Sequence, residues 1–222
     1  MELSIQELPP SISDCLKTIF ILQERNLKVS TSAVSANLGV SDSLVTQLFK
    51  EFANLGWVEY IPYHGVHLTP FGMQKSMEII RHHRLLELYL ARVLNYSWDK
   101  VHAEADQLEH VISEEFEEKI DALLCNPIVD PHGDPIPSKN GVITVTRGQL
   151  LFDLQIGRQA NILRVFAQSI EQLQYLGQLG LFPEKQVQIC QRTPFDGPLL
   201  ILIGNNEHML SANFAKQILV RV

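Results

Sequence analysis

Between Asn126 and Gly141 the chain carries four prolines and two glycines, in the run Asn-Pro and then Asp-Pro-His-Gly-Asp-Pro-Ile-Pro. Proline fixes φ and removes the backbone donor, so no helix or central strand runs through this stretch. It reads as a loop or linker that cuts the 222 residues into two parts of different character. Upstream, apolar residues recur at helical spacing. Downstream, short β-rich runs at Asn161–Phe166, Gln186–Arg192, Leu199–Ile203 and Gln217–Arg221 are separated by Phe182-Pro183, Phe195-Asp196-Gly197-Pro198 and Gly204-Asn205-Asn206, with one short helix at Ser169–Leu179. Several short strands around one helix predict a small β-barrel. The expected fold is therefore mainly α with a β-rich C-terminal domain, divided as 1–75, 76–125, 126–142 and 143–222.

Residues 11–25 predict a first helix with apolar positions Cys15, Leu16, Ile19, Phe20 and Leu22 and with Ser11 or Ser13 as N-cap. Ser30–Val40 is a short helix closed at Gly39, and a second begins near Ser41 and runs to Ala53. Helix, Gly-containing turn and helix make a helix-turn-helix. If Leu44, Val45, Leu48, Phe49 and Phe52 pack inward, Ser41, Ser43, Thr46, Gln47 and Lys50 are left for DNA. Gln reads adenine bidentately, and Ser or Thr contacts bases or phosphates. Leu55–Leu68 then reads as strand, turn and strand, which turns a helical hairpin into a winged helix whose tip carries Tyr63 and His64. Thr69-Pro70 caps the following helix, which extends to about Ala91.

The most chemically loaded stretch is His102-Ala103-Glu104-Ala105-Asp106-Gln107-Leu108-Glu109-His110, expected on a helix over roughly 98–110. Asp106, Glu109 and His110 fall at i, i+3 and i+4, with His102 one turn earlier, so they share a face. Two carboxylates and an imidazole suit a divalent first-row metal; a merely solvated acidic face is the ordinary alternative. Upstream, His83 and Glu87 form a second i, i+4 pair, whereas His82 shares its stripe with Leu86. Residues 76–125 hold 5 Lys/Arg against 11 Asp/Glu, a balance of −6 within a chain of −7. Such a segment attracts cations, and the overall balance speaks against strong non-specific nucleic-acid binding.

Several classes are excluded or disfavoured. No run approaches the ~18 apolar residues of a membrane span, and the N-terminus has no signal-peptide pattern, so a cytoplasmic protein with no membrane partner is expected. Cys15, Cys125 and Cys190 are odd in number and without CxxC spacing, which argues against disulfides or structural zinc. Glu109-His110 could end an H-x-x-E-H metallohydrolase motif, but position 106 is Asp. No phosphate loop or nucleophile elbow is present, so no enzyme is expected.

With these residues in place, the chain resembles the diphtheria-toxin-repressor/manganese-transport-regulator family of metal-dependent repressors. The resemblance rests on His83-Arg84-Leu85-Leu86-Glu87, on Lys100–Glu104 with Glu109–Ser113, and on Gly133-Asp134-Pro135-Ile136-Pro137. At the C-terminal end, Tyr175–Leu181 and Pro194–Pro198 are similar to ferrous-iron-transport accessory proteins. It implies a primary metal site on Asp14, Asp106, Glu109 and His110. An ancillary site falls on His83, Glu87 and His102, with Asp130, His132, Gln168 and Glu171 as candidates to complete it. DNA contacts fall on Ser41, Ser43, Thr46 and Gln47. The implied protein is a homodimer on double-stranded operator DNA, its helices paired so that two half-sites are read. Iron-responsive members place Met and Cys where this chain has Asp14 and Asp106. An all-O/N donor set favours Mn²⁺, with Fe²⁺ the alternative; a winged-helix regulator of a non-metal ligand is the further one. Binuclear manganese sensors carry a carboxylate where this chain has Lys17, a cation expected to repel a second metal.

Overall fold

The computed structural model describes residues 9–25, 28–144, 147–166 and 169–222. The chain divides into two compact units. One comprises the residues up to His83 with Gln107–Lys119 and Pro137–Val142. The other comprises Arg84–Asp106, Ile120–Ile136 and Ile143–Val222.

The first unit opens with α1 (Pro10–Glu24), α2 (Thr31–Leu38) and α3 (Asp42–Asn54), followed by the hairpin β1 (Val58–Ile61) and β2 (Gly65–Leu68). The expected serine cap of α1 is absent. Pro9 stands at the N-cap with no side-chain hydrogen bond, so a proline with pre-set φ starts the helix. Ser13 lies inside the helix instead and is buried. In α2, Ser30 Oγ accepts the Ala33 N–H at 3.1 Å, and Gly39 ends the helix at φ 66°, a left-handed position that glycine takes without a Cβ penalty. Ser41 caps α3 in the same way, accepting the Leu44 N–H at 3.3 Å.

Val45, Leu48, Phe49 and Phe52 of α3 are buried with Leu16 and Ile19 of α1, Val34 of α2, and Trp57, Val58 and Val66 of the hairpin. Each large side chain so buried contributes about 1.5–3 kcal/mol relative to exposure. Leu44, expected to pack inward, is 39% exposed. Helical geometry puts it at the margin of the arc that the four buried residues span. The hairpin pairs antiparallel from Val58↔Leu68 to Ile61↔Gly65, and Tyr63 at its tip is fully exposed at φ 67°. A Cβ on Gly65 would stand 2.4 Å from the Val29 carbonyl oxygen, so only glycine lets the wing close on that strand of backbone.

The helix α4 (Pro70–Arg92) is capped as expected, the Gly72 N–H donating to Thr69 Oγ1 at 3.1 Å. Next come α5 (Val101–Leu108) and α6 (Glu114–Leu123), the latter capped by Ser113, whose Oγ accepts the Phe116 N–H at 3.2 Å. The helix expected over 98–110 is thus shorter at both ends. The Val111 N–H bonds back to the Leu108 carbonyl at 3.0 Å, so Glu109 and His110 sit in a turn beyond α5.

In the second unit, β3 (Gln149–Leu150), β4 (Gln159–Val165), β5 (Gln186–Arg192), β6 (Leu199–Ile203), β7 (Asn206–Leu210) and β8 (Ile218–Arg221) form one antiparallel sheet, in the order β3-β8-β4-β5-β6-β7. Register shifts between Ile162 and Arg164 and between Ile189 and Gln191 increase its twist. The expected strands are present, and β3 and β7 add to them. β3 has two residues, and β7 reads Asn-Glu-His-Met-Leu, too polar to stand out by pattern. The helices α7 (Ile170–Gln178), capped by Ser169, and α8 (Ala212–Ala215) accompany the sheet. Leu151, Leu154, Ile162, Leu173, Leu176, Ile189 and Ile201 lie in its core, and Trp98 packs against them, its indole N–H donating to the Leu173 carbonyl at 3.1 Å.

The proline-rich stretch is ordered where it belongs to this unit. Asp130 Oδ1 accepts the backbone N–H groups of His132 at 2.8 Å and Asp134 at 2.9 Å. The Val165 N–H donates to the His132 carbonyl at 2.9 Å.

Candidate metal centre

In the first unit, α1 presents Asp14 toward the turn that follows α5. Asp14 Oδ1 lies 3.2 Å from His110 Nε2, and that nitrogen lies 3.7 Å from Glu109 Oε1. The ligand atoms of Asp14, Glu109 and His110 all fall within 4.8 Å of one another. Ser13 Oγ hydrogen-bonds the other ring nitrogen of His110 at 3.1 Å, which orients the imidazole. The set is two carboxylates and an imidazole, donors that fit a divalent first-row cation. Cys15, next to Asp14, is buried, and that burial, then the neighbouring Asp14 charge, pushes its thiol up to about 12.

Glu109 is the buried member, 3% exposed. Its Oε1 accepts from Lys17 Nζ at 2.6 Å and its Oε2 meets His83 Nδ1 at 2.5 Å. Burial alone raises its pKa, but His83 and Lys17 outweigh that and hold the carboxyl below its usual value. His83, Lys17 and Glu109 are all buried, so the charges compensate one another within the protein.

The other sequence-predicted ligands fall in the second unit. Glu87 is buried and its Oε1 meets His102 Nδ1 at 2.9 Å, while His102 Nε2 faces Asp106 Oδ2 at 3.7 Å. His132 Nε2 stands 3.8 Å from Glu87 Oε1. Asp130 is buried beside Arg84, with Nε at 4.0 Å, and burial followed by the charges of Asp134 and Glu87 pushes its carboxyl well up. Glu171 is exposed in the first turn of α7, and Gln168 lies outside the described residues. The structure thus brings together Asp14, Glu109 and His110, sets His83 on Glu109, and groups Glu87 with His102 and His132.

Two contacts were not expected from the sequence. The resemblance set Lys17 beside the metal centre, but not on Glu109, a ligand candidate 92 positions away. His82 is buried with its Nε2 2.7 Å from Glu117 Oε2, and Arg81 Nε holds the other oxygen at 2.5 Å. Helical spacing shows that His82 and Leu86 share a stripe, but nothing in the local pattern selects Glu117.

The expected DNA-facing residues all lie in the first unit. Ser43, Gln47 and Lys50 are exposed, as are Tyr63 and His64 at the wing tip. Ser41 is exposed with its hydroxyl engaged as the α3 cap, and Thr46 Oγ1 donates to the Asp42 carbonyl at 2.8 Å.

A winged helix beside a carboxylate–imidazole centre defines a metal-responsive DNA-binding class, and comparison with known proteins specifies it. Residues 7–66 match the family described as iron dependent repressor, N-terminal DNA binding domain. Residues 69–138 match iron dependent repressor, metal binding and dimerisation domain, and residues 150–222 match the FeoA domain. The iron-dependent repressor IdeR of Mycobacterium tuberculosis is 32% identical over 133 residues, covering 60% of this chain and 58% of that protein. This chain therefore matches little more than half the length of that relative. An HTH-type transcriptional regulator of Methanocaldococcus jannaschii is 32% identical over 51% of this chain and 92% of its own length. The solved structure of a manganese-dependent transcriptional repressor in complex with manganese superposes with a TM-score of 0.87, at 32% identity, covering 94% of this chain and 98% of that one. The chain belongs to the family of metal-dependent transcriptional repressors that includes the iron-dependent and diphtheria toxin repressors.

Proposed function

We propose that this protein is a metal-activated repressor that binds double-stranded operator DNA as a homodimer and controls metal-uptake genes, with Mn²⁺ the favoured ion. The observation that carries the reading is the convergence of Asp14, Glu109 and His110 within 4.8 Å, because Asp14 belongs to the helix that packs on the recognition helix α3. Asp106 is the fourth proposed ligand, and His83, Glu87 and His102 the proposed ancillary set, with His132 favoured among the candidates to complete it by its approach to Glu87.

A bound divalent ion supplies two positive charges to the carboxylates of this centre. The protein's own part is mechanical and electrostatic. Asp14 ties α1 to the turn after α5, and Ser13 holds the His110 ring in the orientation that points Nε2 at both carboxylates. Through the shared core, the position of α1 bears on α3 and so on Ser43, Thr46, Gln47 and Lys50. Metal affinity and DNA affinity are then linked reciprocally, as in any two-site coupling. Exposed Val111 and Phe116 in the same unit, and the dimerisation description of the matched segment, support the homodimer.

The donor set favours Mn²⁺ because no sulfur is among its ligands. The identity to mycobacterial IdeR supports Fe²⁺ as the second reading. Among the described residues no helix is long and apolar enough to cross a membrane, and we place the protein in the cytoplasm, without enzymatic activity.

The test is fluorescence anisotropy on DNA from the protein's own promoter region, titrated with Mn²⁺ and with anaerobic Fe²⁺ against a chelator control. Tight binding at lower Mn²⁺ than Fe²⁺ is expected. Better activation by Fe²⁺ would reverse the choice of ion, and binding that ignores both metals and chelator would sink the mechanism.

A further inference from the structure

Lys17 stands one helical turn after Asp14 on α1, and its ammonium lies 2.6 Å from Glu109 Oε1. This is the oxygen that also faces His110 Nε2 at 3.7 Å, so the lysine contacts the centre on its ligand side. The lysine side chain is 9% exposed and that of Glu109 1%, which removes the solvent screening that makes surface ion pairs weak. A lysine ammonium is a compact point charge on a flexible four-carbon stem, able to withdraw without disturbing the helix that bears it.

We infer that Lys17 is a resident cation of the metal centre, holding the Glu109 oxygen that a divalent ion takes, so that metal binding is an exchange of ammonium for metal. The inference rests on the proposed centre at Asp14, Glu109 and His110. Two consequences follow from the geometry. The Lys17–Glu109 contact must be given up on loading, which raises the metal concentration at which the centre fills. The same contact also ties α1 to the turn after α5 before any metal arrives. The transition is then a swap of one tether for another, and carboxylate repulsion alone does not set the position of α1 in the unloaded protein.

The experiment is Mn²⁺ binding to the full chain, read from the EPR signal of the hydrated ion, for wild type, K17M, K17R and D14N, with thermal melts of each before and after Mn²⁺ addition. K17M is expected to bind Mn²⁺ about ten- to a hundredfold more tightly, a fraction of what Coulomb's law assigns to one unit charge ~4 Å away near a protein surface. K17M is also expected to melt lower without added metal and to gain more on Mn²⁺ addition than wild type, as linkage requires. K17R keeps the charge and should stay near wild type. Should K17M not fold, K17Q carries the same expectation. Unchanged or weaker Mn²⁺ binding in the neutral variants, with D14N showing its loss, would overturn the inference alone. D14N binding Mn²⁺ as wild type does would overturn the centre and this inference together.

Discussion

Each of the two units carries a cluster of carboxylates and cations, and the two are neutralised by different chemistry. In the first, Glu109 is held by Lys17 and His83, and Asp14 by His110. In the second, Asp134 is held by guanidinium groups: Arg164 pairs with it, Arg84 approaches it and the buried Asp130, and Arg84 Nη1 donates to the Pro135 carbonyl at 2.5 Å. Arginine stays charged at any accessible pH and binds through a rigid fork. A cluster closed by arginine is therefore a permanent brace, here one that shapes the turn around Asp130. Imidazoles and a lysine release their partners more readily, which is what the cation site proposed in the first unit requires. Acidic residues alone do not separate the two roles; their counterions do.

The largest effect should come from breaking the brace. Arg84→Met removes a buried guanidinium that faces Asp134 and donates to the Pro135 carbonyl, and is expected to cost about 3–5 kcal/mol of stability in urea denaturation, with Mn²⁺ affinity unaltered. Loss of Mn²⁺ affinity with intact stability would reverse the roles assigned to the two clusters. Next in size, His110→Ala should weaken Mn²⁺ binding about 100-fold, the upper end of what loss of even a supporting group costs, with little change in the melting of the protein before Mn²⁺ is added; calorimetric titration reads it directly.

A third test uses a second buried acid of the first unit, Glu117. Burial raises its pKa, but the hydrogen bonds and charges of His82 and Arg81 prevail, and the carboxyl lies below its usual value. A depressed folded-state pKa gives stability that is complete above the unfolded-state value, about 4.3, and is lost as pH falls through the lower folded-state value. Glu117→Gln should therefore cost about 1–3 kcal/mol near neutral pH, and the gap to wild type should close as the medium is acidified below the ordinary carboxylate range. A gap that widens in acid would contradict the sign. The smallest effect belongs to the exposed Lys50. Lys50→Ala should leave stability within about 0.5 kcal/mol and reduce the slope of log affinity against log salt by about 1 in operator binding. An unchanged slope would remove Lys50 from the phosphate-contacting surface.

Much of this molecule was legible along the chain. Ser30, Ser41, Thr69, Ser113 and Ser169 cap helices because a hydroxyl next to an apolar periodic run satisfies amide groups within three residues of itself, and Gly39 ends α2 for an equally local reason. The hairpin, the proline-rich break and four of the strands followed from patterns of two to eight residues. The metal candidates were nominated by the i, i+3 and i+4 rule, and Asp14 by family resemblance. What failed were extensions of those rules past the place where another force took over. α5 stops at Leu108, so Glu109 and His110 reach Asp14 from a turn. Ser13 does not cap α1 but bonds His110.

Sequence by itself therefore determined most of the elements, their order, and the kinds of side chain available to a cation, since these depend on torsions and hydrogen bonds between near neighbours. Only the tertiary structure decided which charge meets which. Lys17 lies 92 positions from Glu109, and Arg81 36 positions from Glu117. Coulomb energy depends on distance in space and on burial, neither of which local spacing encodes.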